Sequence, residues 1–231
     1  MLLYPLLRLQ NKGWNTFKSI LMVRILIGDD HAVIRKGLRQ ILLERYPSAI
    51  IEEANDAEGL ISKAIAGKFD VIISDLSMPG RSGLDVLSYI KQNFPDLPVL
   101  ILSSYPEDQY AIRTLKAGAS GYLSKETAPE ELVKAVERVL QGRKYISSSI
   151  AEKMAENLEQ GGERKTGYES LSDREFDVFK LIAAGKPVSE IAEQLSLSVT
   201  TVSTYRARIL VKMGMKTNAE ITMYCLQNNL I

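Results

Sequence analysis

From Val23 to about Gln141, short apolar runs alternate with longer amphipathic stretches. The apolar runs fall at Val23–Gly28, Ile50–Ala54, Asp70–Asp75, Pro98–Ser103 and Gly121–Leu123. They are short, and most are rich in β-branched residues, which predicts strands buried on both faces of a parallel sheet. Between them, Ala32–Arg45 carries Ile34, Leu38, Ile41 and Leu42 at helical spacing. Ala57–Ala66, Gly83–Asn93, Glu107–Ala117 and Pro129–Gln141 read the same way. Five successive βα units predict an α/β fold, a doubly wound sheet with helices on both faces. Right-handed crossovers leave few topologies, and the order 2-1-3-4-5 suits this length. Its switch point lies between the first and third strands.

The pattern changes after Gly142 and strand patterns do not return. Residues 143–166 contain Ser147-Ser148-Ser149, a charged helical piece near Ile150–Glu159 and Gly161-Gly162, which predicts a partly helical linker. Ser172 followed three residues later by Glu175 forms a capping-box sequence. Helices are expected at Asp173–Ala184, Val188–Leu195, Val199–Met213 and Asn218–Asn228, with Gly185 and Gly214 punctuating two of the ends. The turn Ser196-Leu197-Ser198 joins the middle pair as a helix-turn-helix, whose second helix enters a major groove.

Composition adds limits. The 231 residues are 45% hydrophobic and 25% charged with net charge +1, so the global balance favours no partner. One cysteine, Cys225, excludes an internal disulfide framework and thiolate metal clusters; it is expected in the core. One histidine, His31, excludes histidine-rich metal sites. No apolar run approaches the roughly 20 residues of a membrane helix, so a cytoplasmic protein without membrane contact is expected. Met1–Leu21 lacks the order of a signal peptide and reads as a non-native or disordered extension, with Met22 as the natural start.

Candidate chemistry gathers at strand ends. Asp29-Asp30 close the first strand and Asp75 the third, so three carboxylates converge at the switch point. Oxygen ligands on so compact a site suit Mg²⁺. Asp30 also qualifies as an N-cap for the helix at Ala32. Ser103 ends the fourth strand and Lys125 follows the fifth. A hydroxyl and an ammonium beside carboxylates suit a phosphoryl group, with Asp75 as the nucleophile that becomes an acyl phosphate. At the other end, Val199–Lys216 contains Arg206, Arg208, Lys212 and Lys216 and no acid, a local basic helix for phosphates.

Ile27-Gly28-Asp29-Asp30-His31, Ser74–Gly80, Leu102-Ser103-Ser104 and Gly118–Lys125 resemble the receiver domain of bacterial two-component response regulators over about 22–142. The resemblance implies a flavodoxin-like, five-stranded receiver. It implies that Asp75 takes a phosphoryl group from a sensor histidine kinase. Asp30, Asp75 and the Ser77 carbonyl would hold Mg²⁺, and Asp29 a metal-bound water. Lys125 would contact phosphoryl oxygens, Ser103 would move toward the phosphoryl group and Tyr122 would swing inward into the space behind it. Tyr105, Arg113 and Tyr122 are candidates on the switched face, and Ser77 and Tyr105 would tune the lifetime of the acyl phosphate.

Leu171–Glu175, Ser189–Leu195, Ser198–Val202 and Ile209–Met213 resemble the all-α, four-helix DNA-binding domain of the NarL/FixJ (LuxR-type) regulators over about 167–231. Val202, Ile209 and Met213 would then face the core. Ser203, Thr204 and Ala207 would face bases, and Thr201, Arg206, Arg208, Lys212 and Lys216 are groove or phosphate candidates. Together the resemblances imply a phosphorylation-activated transcription regulator that binds promoter DNA as a dimer, with Tyr224 and Leu226 as dimer candidates and RNA polymerase as a further partner. It would catalyse nothing beyond its own phosphorylation and dephosphorylation. Two alternatives stay open: a constitutive DNA-binding protein with an unused receiver, and a Mg²⁺-dependent aspartyl-phosphate phosphatase.

Overall fold

The computed structural model describes residues 22–78, 81–105, 107–159, 167–228 and 230–231. The N-terminal extension, Pro79-Gly80 and residues 160–166 of the linker lie outside the described residues.

Five parallel strands, β1 (Arg24–Gly28), β2 (Ile50–Ala54), β3 (Val71–Asp75), β4 (Val99–Ser103) and β5 (Gly121–Ser124), form one sheet in the order β2-β1-β3-β4-β5. Every residue of the interior strands β3 and β4 is buried, as their unbroken apolar runs require. The edge strand β2 carries Glu52 and Glu53, charges that blunt an open edge. Asp70 lies just before β3, its carboxylate accepting from the Arg24 backbone N–H at 2.7 Å.

Alternate strand residues supply two cores. Ile25, Ile27, Ile73, Leu100, Leu102 and Leu123 pack against α1 (Ala32–Arg45) and α5 (Ala128–Leu140). Leu26, Ile72, Ile101 and Tyr122 pack on the other face against α2 (Ala57–Ala66), α3 (Gly83–Asn93) and α4 (Glu107–Lys116). The α1 and α5 stripes come from Leu38 and Leu42, and from Leu132, Ala135, Val136 and Val139. One glycine matters to the site. A Cβ on Gly83 would lie 2.4 Å from Leu76 Cα, so only glycine lets the loop after β3 fold back on the start of α3.

After α6 (Ser148–Glu159), a 3-10 turn (Gly167–Ser170) leads into α7 (Asp173–Ala183), α8 (Val188–Gln194), α9 (Val199–Met213) and α10 (Asn218–Gln227). The capping box forms: Glu175 accepts from the Ser172 backbone N–H at 2.7 Å, and Ser172 Oγ accepts from the Glu175 N–H at 3.4 Å. Ser196 turns α8 into α9 with φ 54°, a left-handed position, and Gly214 ends α9 with φ 66°. Phe176, Phe179, Ile191, Val202, Ile209, Ile221 and Cys225 are buried.

The helical domain docks on the receiver-like domain through α7. Tyr110 of α4 meets Phe176 with ring centroids 5.3 Å apart. Arg113 donates to the carbonyls of Tyr168 (2.7 Å) and Leu171 (2.9 Å) and lies 4.3 Å over the Phe176 ring. Arg174 pairs with Asp85 of α3 at 2.9 Å.

Candidate functional site

The sheet order brings the ends of β1 and β3 side by side, Gly28 opposite Ser74, so Asp29, Asp30 and Asp75 converge. One ligand atom from each, and one from His31, lie within 4.8 Å of one another. Asp29 and Asp75 are buried, Asp30 exposed. Arg35 fixes the first acid from behind, donating to the Asp29 carbonyl at 2.7 Å and to Glu53 at 3.1 Å. Asp29 Oδ1 accepts the His31 backbone N–H at 2.7 Å, so the N-cap alternative for Asp30 is wrong: His31 occupies that position and no side chain caps α1. The His31 ring turns back onto the acids, its Nδ1 2.7 Å from Asp30 Oδ1.

Lys125 reaches in from the end of β5. Its Nζ is 2.7 Å from Asp75 Oδ2 and 2.7 Å from Asp29 Oδ2. Asp75 Oδ1 accepts from the Ser77 N–H at 3.1 Å, but the Asp29 Oδ2 contact lacks hydrogen-bond alignment, leaving that buried oxygen without a well-directed donor. Burial pushes the Asp75 carboxyl up, opposed by Lys125 and the Ser77 N–H and reinforced by Asp29. Burial pulls Lys125 down, but the two carboxylates outweigh it and the ammonium ends above its ordinary value. One ammonium facing two buried carboxylates and a third at the rim leaves a deficit of positive charge. The donor set is largely oxygen, so the residues fit a hard divalent cation such as Mg²⁺.

Ser103 Oγ, buried at the end of β4, accepts the Tyr105 N–H at 3.1 Å, and its hydroxyl lies against that of Tyr122. Tyr122 is turned into the protein, the inward position the resemblance gives its switch. It is 1% exposed on the inner side of the sheet and its hydroxyl donates to the Tyr105 carbonyl at 2.8 Å. An aromatic ring with a single polar tip is most stable there, where the ring joins the core and the hydroxyl finds an acceptor.

On α9, Val202 and Ile209 are buried and Met213 half-buried, as the sequence predicts. Ser203, Thr204, Ala207 and Arg208 are exposed on the opposite face, with Thr201 beside them half-buried. That face stays open although α7 is docked. The Ser203 and Thr204 hydroxyls donate to the carbonyls of Val199 (2.9 Å) and Thr200 (3.0 Å), which spends their protons within the helix. Arg206 Nε donates to Asn218 at 2.6 Å. Lys212 bonds Glu175 at 2.6 Å while remaining exposed, and Lys216 is exposed. Tyr224 is half-buried, edge-on to Phe179 at 6.2 Å, while Met223 and Leu226 are large apolar residues of α10 left exposed.

The sequence gives no role to Arg35, Phe176 or Lys180. Phe176 and Lys180 read only as helix periodicity, and nothing in that pattern says which element a side chain meets.

Among the described residues, no helix is long and apolar enough to cross a membrane. The family model described as "Response regulator receiver domain" matches residues 25–137, and "Bacterial regulatory proteins, luxR family" matches 169–225. Curated relatives include the response regulator UvrY of Escherichia coli, 35% identical over 209 residues covering 90% of this chain and 96% of the relative. The oxygen regulatory protein NreC of Staphylococcus epidermidis is 35% identical over 216 residues, covering 90% and 99%. Among solved structures, RcsB of Salmonella enterica serovar Typhimurium bound to promoter rprA in the presence of phosphomimetic BeF3⁻ is 29% identical. It matches with TM-score 0.62, over 87% of this chain and 97% of that one. The match of both models in this order, with relatives aligned over nine-tenths of the chain, shows that it belongs to the NarL/FixJ (LuxR-type) family of two-component response regulators.

Proposed function

We propose that this regulator accepts a phosphoryl group on Asp75 from the phosphohistidine of a sensor kinase and then binds promoter DNA as a homodimer. The observation that carries the reading is Lys125 Nζ, held 2.7 Å from both Asp29 and Asp75 at the switch point of the sheet. An Asp75 oxygen attacks phosphorus, the P–N bond breaks, and the imidazole leaves with the bonding pair. Lys125 offsets the charge on the phosphoryl oxygens, and the Ser103 hydroxyl donates to one of them. Asp29, Asp30, Asp75 and the Ser77 main chain would hold Mg²⁺, which supplies charge neutralisation at the transferring group when bound.

The transferred group adds roughly −1.5 to −2 charge and three acceptors. These favour one arrangement of Ser103, Tyr105 and Tyr122 over another, by no more than the difference in contact energy between the two states. Tyr105 bonds the other two through its backbone, and its ring stacks on Tyr110, which meets Phe176. A shift in this loop therefore bears directly on docking of α7.

We divide the chain into a receiver at 22–142, a linker at 143–166 and a DNA-binding domain at 167–231, after an N-terminal extension at 1–21. Thr201, Ser203, Thr204, Ala207 and Arg208 form the candidate groove face, and Arg206 and Lys216 the backbone contacts. Because few side chains there offer bidentate contacts, sequence choice leans on DNA shape and Arg208. Exposed Met223 and Leu226 support a dimer through α10. The reading puts the protein in the cytoplasm, with RNA polymerase as a further partner and no reaction beyond its own phosphorylation and dephosphorylation. Genome-wide footprinting of wild type against Asp75→Ala tests it: stimulus-dependent sites should vanish in the variant, and identical footprints would support the constitutive alternative.

A further inference from the structure

We propose that Lys180, on the first helix of the DNA-binding domain, is a positioning residue for phosphorylation, holding Tyr105 across the mouth of the Asp75 pocket. The inference rests on Asp75 being the phosphoacceptor. A cleft of about 520 Å³ runs between the domains; Asp30, Ser77 and Tyr105 line it from one side, Arg174, Lys180 and Leu181 from the other. The Tyr105 main chain is fixed at both ends, its N–H on Ser103 Oγ and its carbonyl under the Tyr122 hydroxyl. Its side chain leaves that loop and crosses to Ser77, hydroxyl to hydroxyl at 3.4 Å, beside the residue whose N–H bonds Asp75. The ring lies nearly flat on Tyr110, centroids 4.6 Å apart and planes at 16°.

Lys180 holds this stack from the other domain. Its Nζ is 5.7 Å from the Tyr110 centroid and 6.0 Å from that of Tyr105, within the range of a cation–π contact. A 2.6 Å bond to the buried Gln109 side chain of α4 anchors the ammonium there. The docked domain thus stabilises the position of Tyr105 that narrows the way to Asp75. With acetyl phosphate as donor, an Asp75 oxygen bonds to phosphorus, the bond from phosphorus to the acetyl oxygen breaks, and acetate departs with the electron pair. On this proposal the Tyr105 ring moves aside for the donor, so loosening its support speeds the step without changing the chemistry.

The test follows the rate of acyl-phosphate formation in the full chain, with acetyl phosphate and Mg²⁺, by loss of the unmodified intact mass. Lys180→Met should react roughly two- to five-fold faster than wild type, the factor a partly exposed cation–π contact is worth. Lys180→Arg should restore the wild-type rate. Tyr105→Ala should also react faster, and adding Lys180→Met to it should bring no further gain. A wild-type rate in Lys180→Met overturns the inference, as does an Arg variant that behaves like Met or a double variant whose effects multiply. Wild type that forms no acyl phosphate removes the Asp75 reading and this inference together; normal phosphorylation indifferent to Lys180 removes this inference alone.

Discussion

Replacing Arg113 by alanine should open the two domains. The guanidinium hydrogen-bonds the backbone carbonyls of Tyr168 and Leu171, at 2.7 and 2.9 Å, and covers the Phe176 ring at 4.3 Å. Hydrogen bonds from a charged donor contribute about 1.5–3 kcal/mol each, and a cation–π contact about 0.5–2 kcal/mol. These contributions share one side chain and do not add in full. Opening also lets water reach the two carbonyls, which recovers part of the loss. A net cost to docking of about 2–3 kcal/mol follows, a shift of roughly 30- to 150-fold toward the open form. Amide hydrogen exchange reads this directly in the unphosphorylated full chain. Amides of α4 and of Gly167–Phe176 should lose protection while those of β1 and β3 keep theirs. Arg113→Lys should fall between, because an ammonium lacks the planar fork that serves both carbonyls. Protection on α4 and α7 equal to wild type in Arg113→Ala would refute the claim that this side chain holds the domains together.

Two further predictions concern stability. Burial raises the Glu175 carboxyl, but Lys212 and the Ser172 groups outweigh it and hold it below its ordinary value. A lowered folded-state value means stability that is present above the unfolded carboxyl near pH 4.3 and fades as pH falls through the folded value. Glu175→Gln should therefore cost about 1 kcal/mol at pH 7, discounted for the partly exposed Lys212, with a gap that closes below about pH 4. Urea unfolding across that range checks it, and a gap that widens on acidification would contradict it. Gly83→Ala places a methyl group against the Leu76 backbone, which cannot yield as a flexible side chain does. It should lower stability by about 2 kcal/mol or more by urea titration; an unchanged midpoint would show that the loop after β3 has slack.

The parts of the molecule legible in the sequence are those governed by a single element. The β3 and β4 runs announce strands because both faces are buried, and the Leu38/Leu42 stripe announces a helix because one face is. The pocket is legible because Asp29, Asp75, Ser103 and Lys125 each sit at or just past the carboxyl end of a strand, where sheet order alone decides their convergence. Residues whose partners come from elsewhere escape that logic. Lys212 belongs to a basic helix by sequence, yet the acid that closes the α7 cap takes it. Tyr224 reads as a surface candidate but is half-buried with its ring edge-on to Phe179 of α7. The docking of α7 on α4 joins residues more than fifty positions apart, such as Arg113 and Leu171, and periodicity carries no information about such pairs.

The central claim is that Asp75 carries the transferred phosphate, and intact-protein mass spectrometry tests it most directly. Incubated with acetyl phosphate and Mg²⁺, wild type should gain the mass of one phosphoryl group in an acid-labile linkage, while Asp75→Ala gains none. No added mass in wild type, or equal labelling of the variant, would contradict the account.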